Sequence, residues 1–116
     1  MKNIIVTGGL GHIGSKLVRT LLENQYKVTC FDNLSTQRIS SLRGLVTNKN
    51  FTFKEIDVSS ERKKILSSLE EENYSALIHL AAVTNAEASL EDPKRFFKNN
   101  LNGTKLALEI CSEKGL

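Results

Sequence analysis

Only two cysteines occur in the 116 residues, Cys30 and Cys111, and neither has a partner at metal or redox spacing. That removes a disulfide framework and a zinc site, and leaves two reduced, buried thiols as the expectation. The two histidines, His12 and His79, have no spacing that would let them share a metal, so no metal site is expected. No apolar run approaches the length of a membrane span, and no signal-peptide pattern precedes the first apolar run. Location in the cytoplasm, away from any membrane partner, follows as the expectation. A strong charge imbalance is also missing. The net charge is +3, and apart from Arg62-Lys63-Lys64 the basic residues are scattered. Aromatic residues do not interleave with them, so this trio reads as a solvated helix face and no nucleic-acid partner is expected. What remains is ordinary: 40% apolar and 25% charged residues, enough for one globular domain with a real core.

The informative stretch is the first fourteen residues, MKNIIVTGGLGHIG. Asn3 to Thr7 is short, β-branched and apolar, which suits a strand buried on both faces. Gly8, Gly9, Gly11 and Gly14 follow, and then Ile13, Leu17, Val18, Leu21 and Leu22 recur at helical spacing. Gly9, Gly11 and Gly14 fit G-x-G-x-x-G. Gly8, Gly11 and Gly14, behind Thr7, fit T-G-x-x-G-x-x-G. In a strand–turn–helix context this is a dinucleotide fingerprint. The turn needs angles that a Cβ would oppose. Gly11 lies where the main chain approaches a pyrophosphate, and Gly14 lies where a side chain would push the helix off the strand. The helix N-terminus then offers N–H groups and a positive dipole end to the phosphates. The competing reading is a tight strand–helix turn with no ligand.

Asn24-Gln25 makes a turn, and Lys27 to Phe31 reads as a second strand ending at Asp32, eighteen residues beyond Gly14. An acid at that distance meets the adenosine ribose: it accepts from the 2′-hydroxyl and repels a 2′-phosphate, which selects NAD over NADP. The alternative is an aspartate that merely starts a turn. Ile39, Leu42, Leu45 and Val46 suggest a short helix. Phe51 to Ile56 is a third strand at a sheet edge, and Ser59 or Ser60 is placed to cap a helix running to about Glu72. Ala76 to Leu80 is a fourth strand. Pro93 opens the last helix, which carries two apolar stripes: Phe97, Leu101, Leu108 and Cys111 on one, Phe96, Ala107 and Ile110 on the other. Gly115 is its C-terminal cap. Strands alternating with helices imply an α/β fold with a doubly wound parallel sheet of about four strands, order 3-2-1-4.

These residues resemble the extended short-chain dehydrogenase/reductases, in particular the NAD-dependent epimerase/dehydratase group that acts mostly on nucleotide sugars. Thr7-Gly8-Gly9-Leu10-Gly11-His12-Ile13-Gly14 is similar to that family's T-G-G-x-G-x-I-G, and Asp32-Asn33-Leu34-Ser35-Thr36 to its D-N-L-S segment. Asp57-Val58 resembles the D-[IV] pair that contacts the adenine. His79-Leu80-Ala81-Ala82 resembles the H-L-A-A whose backbone passes the nicotinamide side, and Asn100-Leu101-Asn102-Gly103-Thr104 the N-x-x-G-T whose asparagine ties the middle strand in place. The resemblance implies a Rossmann-type domain with NAD held by Gly8, Gly11, His12, Ile13, Gly14, Asp32, Asn33, Ser35, Thr36, Asp57, Val58, Leu80, Ala81, Ala82, Thr84 and Asn100. It implies hydride transfer from a sugar carbon to NAD, a keto-sugar, and then epimerisation or dehydration. A nucleotide sugar is the implied substrate of the intact enzyme, and a homo-oligomer the implied assembly.

The family's catalytic pair, Y-x-x-x-K, is missing. Four residues after Tyr26 stands Cys30, and four after Tyr74 stands Ile78. No catalytic residue is therefore assigned. Residues 1–116 are expected to be the N-terminal part of the NAD-binding domain, without the Tyr/Lys segment or a C-terminal substrate domain, and inactive by themselves. Two other functions stay open: a non-catalytic NAD(P)-sensing module, and an NAD(P)-dependent reductase of the same superfamily.

Overall fold

The apolar run after Lys2 forms β1 (Asn3–Thr7), buried along its whole length, and three further strands assemble around it. The computed structural model describes residues 1–34, 39–69, 72–82 and 86–116. β2 (Lys27–Asp32) and β4 (Ala76–His79) flank β1, and β3 (Phe51–Glu55) pairs with β2, all in parallel, giving the order β3-β2-β1-β4. This is the expected order. Because every strand runs the same way, the C-terminal ends Thr7, Asp32, Glu55 and His79 share one edge of the sheet.

Strand pleating divides the core in two. Ile4, Val6 and Val28 face α1 (His12–Glu23), with Val18 fully buried and Leu21 and Leu22 packed beside it. Ile5 and Phe31 face the other way, onto Ile65, Leu66 and Leu69 of the segment carrying α2 (Arg62–Ser68) and onto Leu106 and Ile110 of α4 (Pro93–Lys114). Helices on both faces explain why β1 and β2 are buried at nearly every position instead of alternating. The last helix begins and ends as its sequence requires. Asp92 accepts the Arg95 N–H at 3.1 Å, Pro93 takes the first turn, and Gly115 closes the helix with φ +69°.

Several local expectations are corrected. Neither Ser59 nor Ser60 caps α2. Glu61 stands at that position without a side-chain cap, because Asp57 has already engaged Ser59 through its N–H at 2.8 Å and its hydroxyl at 2.6 Å. α2 ends at Ser68, short of Glu72. α3 (Ala86–Glu91) was not anticipated; six residues are too few to show a helical period. The short helix near residue 40 is a single 3-10 turn, Ile39–Leu42, with Leu45 buried and Val46 exposed. Ile13 is 71% exposed and does not join the apolar face of α1. On α4 one predicted stripe, through Ala107 and Ile110, packs on the sheet. The other does not: Phe97, Leu101 and Leu108 are exposed and Cys111 is only half-buried.

The two α4 faces should separate cleanly in stability measurements. Ile110→Ala empties a fully buried position and should cost about 2–5 kcal/mol in urea unfolding. Leu108→Ala, 66% exposed, should stay within about 0.5 kcal/mol of the parent chain. Equal losses at both positions would contradict this packing.

Candidate functional site

Four segments meet at the C-terminal edge: the glycine loop after β1, the chain after β2, the turn after β3 and the chain after β4. Thr7 joins the first to the last. Its Oγ1 accepts the N–H of Leu80 at 3.1 Å and of Ala81 at 3.2 Å, and lies 2.6 Å from His79 Nδ1. With its oxygen so occupied, the hydroxyl proton is the one that bridges to His79. Nδ1 is then an acceptor, and the imidazole carries its proton on Nε2, on the side of Gly103 in α4. Burial also pushes the His79 pKa down, in agreement with a neutral ring.

Gly8 is the glycine that the turn demands. Its φ is +70°, its N–H donates to Phe31 O at 2.7 Å, and a Cβ there would press on the Ala81 backbone within 2.8 Å. Gly11, at φ −67°, is in a conformation open to any residue. Gly14 is needed for close approach, but to a different neighbour than expected: a Cβ would overlap the Gly8 carbonyl oxygen and Gly9 Cα, so it keeps the helix against the turn itself. Gly11 caps α1 without a side-chain hydrogen bond, and no acidic residue occupies the first turn. Among the described residues, the first N–H groups of α1, at His12, Ile13 and Gly14, therefore have neither a capping side chain from Gly11 nor a carboxylate within the first turn.

Asp32 closes the other side. It is 6% exposed, and its two oxygens take different loops: Oδ2 accepts Leu10 N–H at 3.1 Å and Oδ1 accepts Leu34 N–H at 2.8 Å. It does start a turn, as one reading held, and it also anchors the glycine loop. The described residues take two of its lone-pair sites, and a carboxylate offers about four, enough in principle for the two hydroxyls of a ribose as well. Beyond it, Asn33 donates to Asp57. Burial raises the Asp57 pKa, but hydrogen bonds from Ser59, Ser60 and Asn33 outweigh it and the net direction is down, so the group is ionised. Its turn is tied in turn to α4 by Asn99 Nδ2, 3.2 Å from Ser59 Oγ.

Of the sequence-assigned residues, Gly8, Gly11, Asn33, Asp57, Leu80, Ala81 and Ala82 lie on loops at this edge, Asp32 ends β2 there, and His12, Ile13 and Gly14 form the first turn of α1. Val58 lies there too, but its side chain is in the core. Asn100 is half-buried on α4. Ser35, Thr36 and Thr84 fall outside the described residues. Leu10, Leu34 and Asn99 were not singled out by sequence. The first two act through backbone N–H groups, which carry no side-chain signal, and Asn99 lies outside the N-x-x-G-T match that begins at Asn100. Among the described residues no group of three or more His, Cys, Asp or Glu side chains is placed to hold a metal ion, and no helix is long and apolar enough to cross a membrane.

The histidine at this edge predicts a pH dependence. Its folded pKa lies below the ordinary value of 6.5, so the unfolded chain takes up a proton first as pH falls. Stability contributed by neutral His79 should be complete above about pH 6.5 and should decline as pH drops through the folded value. His79→Gln should flatten that part of a stability–pH profile; an unchanged slope would assign it to other groups.

Comparison with known proteins places this geometry. Residues 4–116 match the model of the NAD dependent epimerase/dehydratase family. UDP-glucose 4-epimerase of Bacillus subtilis is 34% identical over 115 residues, covering 97% of this chain and 34% of that protein. The UDP-Glc/GlcNAc 4-epimerase structure from Campylobacter jejuni superposes with a TM-score of 0.88 at 29% identity, covering 99% of this chain and 35% of that one. The UDP-glucose 4-epimerase of Brucella ovis, solved in complex with NAD, gives 0.83 at 31% identity over 98% of this chain and 33% of its own. The chain thus spans about a third of the length of the relatives it matches. With the family model covering the four strands, the glycine loop and all the helices, this chain belongs to the NAD-dependent epimerase/dehydratase family.

Proposed function

We propose that the chain binds NAD across the C-terminal ends of β1, β2, β3 and β4, as the cofactor-binding part of a nucleotide-sugar epimerase. The observation that carries this reading is Asp32. It is a buried carboxylate that holds the glycine loop through Leu10, and among the described residues only two of its lone-pair sites are taken, beside a helix N-terminus whose cap residue, Gly11, has no side chain to offer. In this reading the N–H groups of the α1 first turn, from His12 to Gly14, hold the pyrophosphate against Gly8 and Gly11. Asp32 and Asn33 hold the adenosine side with Asp57 and Val58. Leu80, Ala81 and Ala82 line the nicotinamide side, and Ser35, Thr36, Thr84 and Asn100 complete the set. Bound there, NAD supplies a hydride acceptor for a sugar carbon. The names of the relatives, UDP-glucose 4-epimerases with NAD in some solved examples, support both the cofactor and a nucleotide-sugar substrate.

Proton transfer is a separate matter. Tyr26 and Tyr74 each stand just before a strand, β2 and β4, and so at the N-terminal edge, opposite the glycine loop. Tyr74 is half-buried, and neither tyrosine has a lysine four residues on. The reading is therefore binding without turnover by these 116 residues alone. The same observation favours, as a second reading, a module that binds the dinucleotide and performs no chemistry. Exposed Phe97, Leu101 and Leu108 support self-association.

Titration calorimetry tests the cofactor. NAD should bind more tightly than NADP, and Asp32→Ala should weaken NAD by roughly 1–3 kcal/mol, the scale of a lost charged hydrogen bond. Equal or tighter NADP binding by the parent chain would overturn the reading. Supplied with NAD and UDP-glucose, the chain should show no turnover. Turnover that survives purification and disappears in Asp32→Ala would show that it carries its own proton-transfer group.

A further inference from the structure

Three successive residues of the glycine loop are held by three residues at the end of β2. Gly8 N–H donates to Phe31 O, Leu10 N–H donates to Asp32 Oδ2, and between them Gly9 sits on Cys30. Gly9 is not glycine for its backbone angle, since its φ is outside the left-handed region. The reason is space. A Cβ there would overlap Cys30 Sγ and would lie 3.2 Å from Val18 Cγ2 and 3.4 Å from Cys30 Cβ. Cys30 is fully buried, and burial first, then the Asp32 charge, pushes its thiol up to about 12, so it stays neutral and is a filler instead of a nucleophile.

The loop cannot yield on its near side, because Gly8 is already pressed on the Ala81 backbone. Any lift at Gly9 passes to Leu10 and Gly11, which lead into α1 and carry the N–H bonded to Asp32. We propose that Gly9 and Cys30 are a size-matched pair that sets the height of the glycine loop over β2, which makes Cys30 a positioning residue for the dinucleotide pyrophosphate. This rests on the NAD reading above.

A double-mutant cycle tests it. Gly9→Ala should raise the NAD Kd at least about tenfold, the scale of overpacking, while adenosine, which lacks phosphates, changes less than about threefold by NMR titration. Cys30→Ala combined with Gly9→Ala should bring the NAD Kd back to within about threefold of the parent. An unchanged Kd in Gly9→Ala, a double variant no better than the single, or adenosine affinity falling in step with NAD would overturn the proposal. If Gly9→Ala does not fold, Cys30→Met presses on the loop from the other side and should raise the NAD Kd by the same order; unchanged affinity in that folded variant overturns it equally. If the parent chain binds no NAD, the functional reading fails, and the pair is judged by thiol modification of native protein. A loop lifted in Gly9→Ala should raise the modification rate of Cys30 relative to that of Cys111 and lower the melting temperature, the latter rescued in the Cys30→Ala background. No change in either would overturn the pair independently of the cofactor.

Discussion

The central strand ends in a threonine whose hydroxyl serves three groups, and the functional edge is assembled around it. Thr7 Oγ1 takes the N–H groups of Leu80 and Ala81 and gives its proton to His79. Without that oxygen the Ala81 N–H and the His79 Nδ1 would lose the partners they have beside a buried core, at a cost of about 1–3 kcal/mol for each group left unsatisfied. The bond also closes the seam between β1 and β4, where the chain reverses its direction of winding. In doubly wound sheets ligands bind at that seam, at the C-terminal ends of the strands. A small hydroxyl residue is required because Gly8, next in the chain, already brings the Ala81 backbone to van der Waals contact.

Asp32 carries the matching constraint on the other flank. A carboxylate that is 6% exposed is costly to bury unless hydrogen bonds replace its water. Leu10 and Leu34 supply two, one from each loop, so the charge that would face a ribose also orders the loop that would face the phosphates. The two parts of the site are one hydrogen-bonded unit. Asp57, with Ser59, Ser60 and Asn33, repeats the arrangement one strand further out, and Asn99 links it to α4.

The opposite edge is polar for a different purpose. Asn3 donates to Glu72 at 2.6 Å, and Thr29 donates to Asn3. These bonds satisfy side chains at the strand starts, and among the described residues they bring together no helix N-terminus with buried acids. The asymmetry follows from the parallel sheet: helices begin where strands end, so uncapped N–H groups and the acids that accompany them collect on one edge.

Much of this was legible in the chain. The fold came from period: β-branched runs buried on both faces, alternating with amphipathic segments, admit few arrangements besides a parallel sheet with helices on both sides. Asp32 was legible because a fixed distance separates it from Gly14 in a unit of strand, turn and helix. Short-range chemistry also marked the ends of α4, where Asp92, Pro93 and Gly115 act on their own neighbours. Other features depend on contacts between distant residues and had no local signal. The serines at 59 and 60 are good caps in isolation, yet Asp57 takes them first. The α4 stripes are equally apolar, and only the position of the sheet decides that Ile110 is buried and Leu108 is not. Thr7 looks like one more β-branched strand residue until residues 79 to 81 are folded beside it. Gly9 looks like part of a turn until the sulfur of Cys30 is seen beneath it. Periodicity and spacing are properties of neighbouring residues and can be read from the chain, whereas which of several suitable groups finds a partner is settled by long-range packing.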